Sequence, residues 1–253
     1  MIIGEVGLNH LGIQNYAEEY INFHLNNNFK SLSFQIREKE FYERFDKKNL
    51  QLPTDFYFKI SEKYKKISDK KIGLSVSNLN SLHSILTVSF DFFKILSIGA
   101  KDRSLISTLI EKTNADIYIS LGALNENDID DLIKLYNDEK RIKFNYTQLS
   151  YQKENLNLNN LINYASKYKN KFSYGHHYIN DIPILISSSI YNCDLFIYIK
   201  GLKKVKHPDE IHAYNFKSFI NLIDRINETK ELLGKKGRFF SKNNIPDQSN
   251  NET

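Results

Sequence analysis

At 253 residues, 41% of them hydrophobic, the chain is long enough to bury a sizeable core as one large domain or two small ones. Its 35 lysines and arginines exceed its 30 acids by only five and are scattered beside them, so nucleic acid is not an expected partner, although a local basic site for an anionic small molecule is compatible with that balance. The single cysteine, Cys193, lies in an apolar run; it excludes an internal disulfide and a thiolate metal cluster, and together with the lack of a signal peptide or an apolar run of membrane-spanning length it gives a cytoplasmic expectation with no membrane partner.

The stretch at residues 2–12 sets the pattern. Ile2, Ile3 and Val6 are strand formers, and the strand runs into a polar loop punctuated by Gly7 and Gly12. Glu5, Asn9 and His10 place a carboxylate, an amide and an imidazole where that strand ends. A helix from about residue 15 carries Tyr16, Tyr20, Ile21 and His24 at helical spacing. Residues 31–35 read as a strand with Ser33 and Gln35 on one face, followed by a charged excursion over 37–48. Pro53 opens a helix through Phe56, Tyr57, Ile60 and Tyr64. A strand over 72–77 leads to a helix capped by Asn78 and Asn80 and carrying Leu82, Ile85 and Leu86. Residues 91–97 form a fourth strand, and Asp102 caps the helix after it.

The alternation continues through the second half. Strands are expected over 116–120, 141–146, 171–174 and 194–199, with Asn125 capping the helix after the first of these. Further helices are expected from about 156, over 182–190 and over 215–233, where Gly234 ends the last one. Residues 235–253 are polar and read as a disordered tail. Strand then helix, eight times over some 235 residues, is the pattern of a (β/α)8 barrel. A doubly wound open sheet is the rival. The count of eight favours the barrel, and no Gly-x-Gly-x-x-Gly turn follows the first strand.

In a barrel the strand C-termini share one face. That would gather Glu5, Asn9, His10, Ser33, Gln35 and Ser75 with Lys94, Ser97, Ser120, Asn145, His177 and Lys200. Hydroxyls, amides and lysines around one mouth suit an anionic substrate such as a phosphate or carboxylate. Strand-end serines can also simply bond loop amides. Lys94, inside an apolar strand, demands a partner, because an unpaired buried cation is costly. His24, His83 and His212 fall on helices or surface loops and are not expected to be ligands.

The order of these motifs resembles the sialic acid synthase family (N-acetylneuraminate synthase and its relatives). Gly4-Glu-Val-Gly-Leu-Asn-His-Leu-Gly12 is similar to that family's opening Ala-Glu-Ile-Gly-x-Asn-His-x-Gly. Ser33-Phe-Gln35 resembles its Lys-Phe-Gln, and Phe93-Lys-Ile-Leu-Ser97 its Phe-Lys-Ile-x-Ser. Ser120-Leu-Gly122 stands for Ser-Thr-Gly, Tyr174-Gly-His-His177 for Tyr-Ser-Asp-His, and Pro208-Asp209 for Gly-Pro-Asp-His. The resemblance implies a barrel that condenses phosphoenolpyruvate with an N-acylated hexosamine such as N-acetylmannosamine. It also implies a divalent metal, Mn2+ or Mg2+, polarising the sugar aldehyde.

Carried over by position, Ser75, Lys94 and Ser120 would hold phosphoenolpyruvate, with Ser97 beside them and Asn9, His10 and Gln35 completing the substrate site. Glu5 would contact the sugar, Asp209 would meet the sugar or its water network, and His177 would be a metal ligand. The departures are equally specific. Ser33 removes a cation, Gly175-His176 replaces a Ser-Asp pair, and Asn145 and Glu210 replace histidines. The second metal histidine falls on Lys200, whose ammonium has no lone pair for a metal. Metal use is therefore doubtful: Lys200 could itself act as the polarising cation, or His176 could join His177 in a rebuilt site. No counterpart of the family's C-terminal antifreeze-like domain is read after residue 234, and a homodimer stays possible. A catalytically degenerate paralogue that binds a sugar or an anion is the alternative to an active synthase. An unrelated barrel enzyme acting on a phosphorylated aldose is a third reading.

Overall fold

A computed structural model of the protein describes residues 1–67, 69–168, 171–190 and 193–234. Its strands are β1 (Ile2–Gly7), β2 (Ser31–Gln35), β3 (Lys71–Val76), β4 (Phe92–Ile95), β5 (Asp116–Ser120), β6 (Ile142–Thr147), β7 (Phe172–Gly175) and β8 (Asp194–Lys200). Each pairs in parallel with the next, and β8 pairs back onto β1 with Ile3 opposite Phe196 and Glu5 opposite Tyr198. That closing pairing makes the sheet a barrel and excludes the open-sheet alternative. A two-residue strand, β9 (Tyr214–Asn215), extends the end of β8. The expected tail at 235–253 lies outside the described residues.

The outer helices are α1 (Gln14–Leu25), α2 (Lys39–Glu43), α3 (Thr54–Tyr64), α4 (Leu79–His83), α5 (Arg103–Lys112), α6 (Glu126–Tyr136), α7 (Leu158–Lys167), α8 (Ile182–Ser188) and α9 (Phe216–Leu233). Side-chain caps start several of them. Asp102 accepts from the Leu105 amide, Asn125 from Asp128 and Asn215 from Ser218, while Asn78 and Ser81 form a reciprocal box. Three elements are shorter than the sequence suggests, among them α8, which ends at Ser188 rather than at 190. The fourth strand spans 92–95, because the chain folds into a 3-10 turn at Ser97–Gly99. The helix after β3 ends at His83, so Ile85 and Leu86 pack from the following turn.

Strand periodicity splits the apolar side chains into two bodies. Leu32, Leu74, Phe93, Ile117, Phe144 and Ile197 point outward and join the main core under the helices. Ile3, Phe92, Tyr118 and Phe196 point inward and form a separate plug across the barrel. The three aromatic rings meet edge to face at centroid distances of 4.9–6.2 Å. Gly73 makes room for the plug, since a Cβ there would lie 2.0 Å from the Phe92 ring. Above the plug the strands turn Glu5, Ser75, Lys94, Ser120 and Asn145 inward, and that is where the site is built.

Candidate functional site

The layer above the plug comes from the next inward residue of each strand. Glu5 of β1 and Lys94 of β4 meet across the axis, with Lys94 Nζ 2.6 and 2.7 Å from the two carboxylate oxygens. Both are buried. Ser75 of β3 donates to Glu5 Oε1 at 3.3 Å. The Lys94 ammonium also lies 4.8 Å from the Phe196 ring centre and 5.7 Å from that of Tyr198, which adds cation–π attraction from below and from the side. A buried ion pair needs such supplementary contacts to offset desolvation.

Over this pair opens a cavity of about 290 Å³, at the small end for a small-molecule site. Gln35, Lys94, Ser97, Ser120, His177 and Asp209 all line it. Residues from five separate stretches of the chain thus meet at one cavity, with Glu5 and Ser75 bonded to one another at its Lys94 end. Ser120 Oγ accepts from the Asn145 side chain at 3.4 Å, and Asn145 Oδ1 accepts from Ser173, so a chain of polar groups crosses β5, β6 and β7.

Four expected site residues are placed differently. Asn9 does not face the cavity: its amide donates to the Ile199 carbonyl and its Oδ1 accepts from the Asp209 amide, so it fastens the Asp209 loop to β8. His10 is fully buried and does not line the cavity: its Nδ1 accepts from the Gly12 amide, and its Nε2 has no hydrogen-bond partner. Lys200 does not line the cavity. Glu210 holds it at 3.4 Å on the outer side, beside Lys203, Lys204 and Lys206, which removes it as a polarising cation in the cavity. His176 turns away from His177: its ring faces Tyr174 and Tyr214, whereas His177 faces Tyr198 and His212. β7 ends at Gly175, yet the His176 amide still bonds the Phe196 carbonyl, which keeps the strand's alternation for one more residue.

Other lining residues were not anticipated. Tyr198 follows Phe196 by two on β8 and so points inward; that signal was available in the alternation. Arg37 follows Gln35 by two and puts a guanidinium at the rim, held by Glu38 at 2.8 and 3.0 Å and stacked 4.3 Å over Phe41. Lys47 reaches the same wall. Gly7 permits the arrangement: it has φ +55°, and a Cβ there would meet the Tyr198 ring at 2.8 Å and an Asp209 carboxylate oxygen at 3.0 Å.

The electrostatics single out Asp209. Burial, then the negative charge of Glu5, push its carboxyl up to about 7, so it holds a proton near neutral pH. Burial drives His177 well below its ordinary range, with His212 and Lys94 acting in the same direction. Burial also lowers His10 and His176 to about 3 and His212 to about 4. These imidazoles are neutral at pH 7. The Cys193 thiol is buried and pushed up to about 12, a core group rather than a nucleophile.

The expected metal positions do not fit a metal. Of the pair His177 and Lys200, the second has no lone pair and faces Glu210. No cluster of three or more histidine, cysteine, aspartate or glutamate side chains suited to a metal ion occurs among the described residues.

Comparison with known proteins gives a family model, described as the NeuB family, that matches residues 3–238. No curated protein matches the chain. Among solved structures, the chain is similar to N-acetylneuraminic acid (sialic acid) synthetase from Leptospira borgpetersenii, with 18% identity and a TM-score of 0.83 over 96% of this chain and 87% of that one. It is also similar to a putative spore coat polysaccharide biosynthesis protein E from Chromobacterium violaceum, with 16% identity and a TM-score of 0.80 over 96% and 78% of the two chains. A truncated 3-deoxy-D-arabino-heptulosonate 7-phosphate synthase from Thermotoga maritima matches more loosely, with 13% identity and a TM-score of 0.66 over 92% and 87%. At these identities the structural likeness carries the fold. No described helix is long and apolar enough to cross a membrane.

Proposed function

The chain belongs to the NeuB family, and we propose that it condenses phosphoenolpyruvate with an open-chain N-acylated hexosamine, a synthase step in the making of sialic acid-type sugars. The observation that carries this reading is the convergence of Lys94, Ser120, His177 and Asp209 on one cavity above Glu5. Phosphoenolpyruvate is a compact polyanion. Lys94 supplies a charge at the cavity floor, and Ser97 and Ser120 supply directional donors. Arg37 and Lys47 at the rim supply cations where Ser33 lacks one.

In this reading C3 of phosphoenolpyruvate attacks the aldehyde carbon and forms the new C–C bond. The aldehyde oxygen takes up a proton as it becomes a hydroxyl, and the Asp209 carboxyl, protonated up to about pH 7, is the donor. Positive charge develops at C2 above the Glu5 carboxylate, which opposes that charge. Water adds to C2 and gives its proton to the Asp209 carboxylate. The C2–O bond to phosphate then breaks as the C2 hydroxyl passes its proton to the departing phosphate, releasing inorganic phosphate and a 2-keto acid. No step is assigned to a metal.

A second reading is a degenerate family member that binds the anion without turnover. Glu5 favours it by closing both oxygens on Lys94, and Gly175 favours it by standing where the family resemblance expects a hydroxyl. One assay separates the two. Phosphate release from phosphoenolpyruvate is measured with a panel of N-acylated hexosamines, with and without Mn2+, alongside calorimetry. Hexosamine-dependent release supports the synthase. Binding without release supports the degenerate form, and neither binding nor release overturns both.

A further inference from the structure

The loop between β8 and β9 serves two cavities. Asp209 lines the one above Glu5. A second cavity, of about 470 Å³, is lined by Lys200, Lys203, Lys204, Lys206, His207 and Glu210. Four lysines against one carboxylate concentrate positive charge in a chain whose net charge is only +5. Glu210 pairs with Lys200 at 3.4 Å, while Lys203, Lys204 and Lys206 have no carboxylate partner among the described residues.

A merely solvated lysine run needs no fixed backbone, and this one has it. The Gly201 amide donates to Tyr20 Oη at 2.7 Å and the Lys203 amide to Tyr16 Oη at 3.3 Å, both tyrosines belonging to α1. Gly201 packs so closely that a Cβ would lie 2.6 Å from Tyr16 Oη. His207 is a second and independent sign of a ligand. It is 3% exposed, and it lines the same cavity. Its Nε2 lies 2.7 Å from Tyr16 Oη. Tyr16 Oη accepts from the Lys203 amide, so its own proton closes the contact to Nε2 and leaves Nδ1 as the protonated nitrogen. That N–H is buried without a hydrogen-bond partner, which is costly.

The chemistry of the wall selects the ligand. Lysines are compact charges with rotatable donors, suited to phosphate oxygens, and no planar arginine fork for a carboxylate stands among them. A single phosphate group carries at most about two negative charges, fewer than three unpaired ammonium groups can balance.

We propose that the loop between β8 and β9 forms a binding site for the di- or triphosphate group of a small molecule, held by Lys203, Lys204 and Lys206 together with the His207 N–H. It is separate from the cavity above Glu5 and stands whether or not phosphoenolpyruvate is turned over.

The test is calorimetric titration of the full chain with sodium pyrophosphate, in the presence of a chelator. Saturable binding is expected in the parent. It should persist in the Glu5→Gln/Lys94→Met double variant, which lacks the cation of the other cavity. Lys203→Gln/Lys204→Gln/Lys206→Gln should weaken it at least tenfold. A charge-matched triple at the exposed end of α3, Lys63→Gln/Lys65→Gln/Lys66→Gln, should bind as the parent does. ATP free of Mg2+ should displace pyrophosphate, since its triphosphate offers the same oxygens. No saturable binding in the parent, equal loss in the two lysine triples, loss in the double variant with retention in the loop triple, or failure of ATP to displace pyrophosphate overturns the proposal.

Discussion

Each end of the barrel interior holds a lysine–carboxylate pair, buried at the open end and with its lysine partly exposed at the other, and the two are built differently. At the closed end, below the aromatic plug, Asp194 accepts from Tyr118 O–H at 2.8 Å, from Lys143 Nζ at 2.9 Å and from the Met1 amino group at 2.7 Å. Both oxygens are used. At the open end the Lys94–Glu5 pair has a cavity above it. Around that end His10, His176 and His212 leave ring nitrogens buried and unmatched, and Asp209 keeps a proton near neutral pH. The closed-end pair satisfies its polar groups internally, as a structural network must. The open-end pair leaves polar capacity for a ligand, at a cost in stability, which is the signature of a site.

That contrast can be broken by mutation. The largest expected effect is at Lys94→Met, which leaves the Glu5 carboxylate buried and unpaired. It should cost about 3–5 kcal/mol in denaturant unfolding. Adding Glu5→Gln should recover most of that stability while binding of phosphoenolpyruvate stays lost; recovery of both would make the pair purely structural. Next comes Asp194→Asn, which weakens three hydrogen bonds at the closed end. It should cost about 2–3 kcal/mol, yet leave ligand affinity of the folded protein unchanged. A change in affinity would erase the distinction between the ends.

Gly7→Ala forces a residue with a Cβ into positive φ against Tyr198 and Asp209. It should cost about 1–2 kcal/mol and reduce phosphate release further than the stability loss explains.

The remaining effect is a pH dependence. A carboxyl raised to about 7 in the folded state, from an ordinary value of 3.8, binds its proton more tightly when folded. Below pH 3.8 the group is protonated in both states and contributes nothing to the difference. Its destabilising contribution grows as pH rises through 4 to 7 and is complete above 7. Asp209→Asn removes it, so the variant's melting temperature should gain on the parent's by about 5–10 °C between pH 5 and pH 8. An equal difference at both pH values would contradict the protonated carboxyl.

Much of this was legible in the sequence, for identifiable reasons. The strands over 31–35 and 116–120 and the caps at Asp102, Asn125 and Asn215 follow from alternation and from side chains that bond the first helical turn. Lys94 stood out because a lysine flanked by Phe93 and Ile95 needs a partner, and Glu5 is that partner. What failed was direction. Asn9 looks like a ligand group, but a backbone carbonyl and a backbone amide that no sequence displays take both ends of its side chain. Lys200 sits at the expected strand end and still turns outward to Glu210. His212 gave no local signal, because its burial depends on how the loop after β8 folds back over His177.

The most direct measurement is calorimetric titration of phosphoenolpyruvate into the parent chain and into the Glu5→Gln/Lys94→Met double variant. The account predicts saturable binding to the parent and none to the stable double variant. Equal binding to both, or none to the parent, would contradict it.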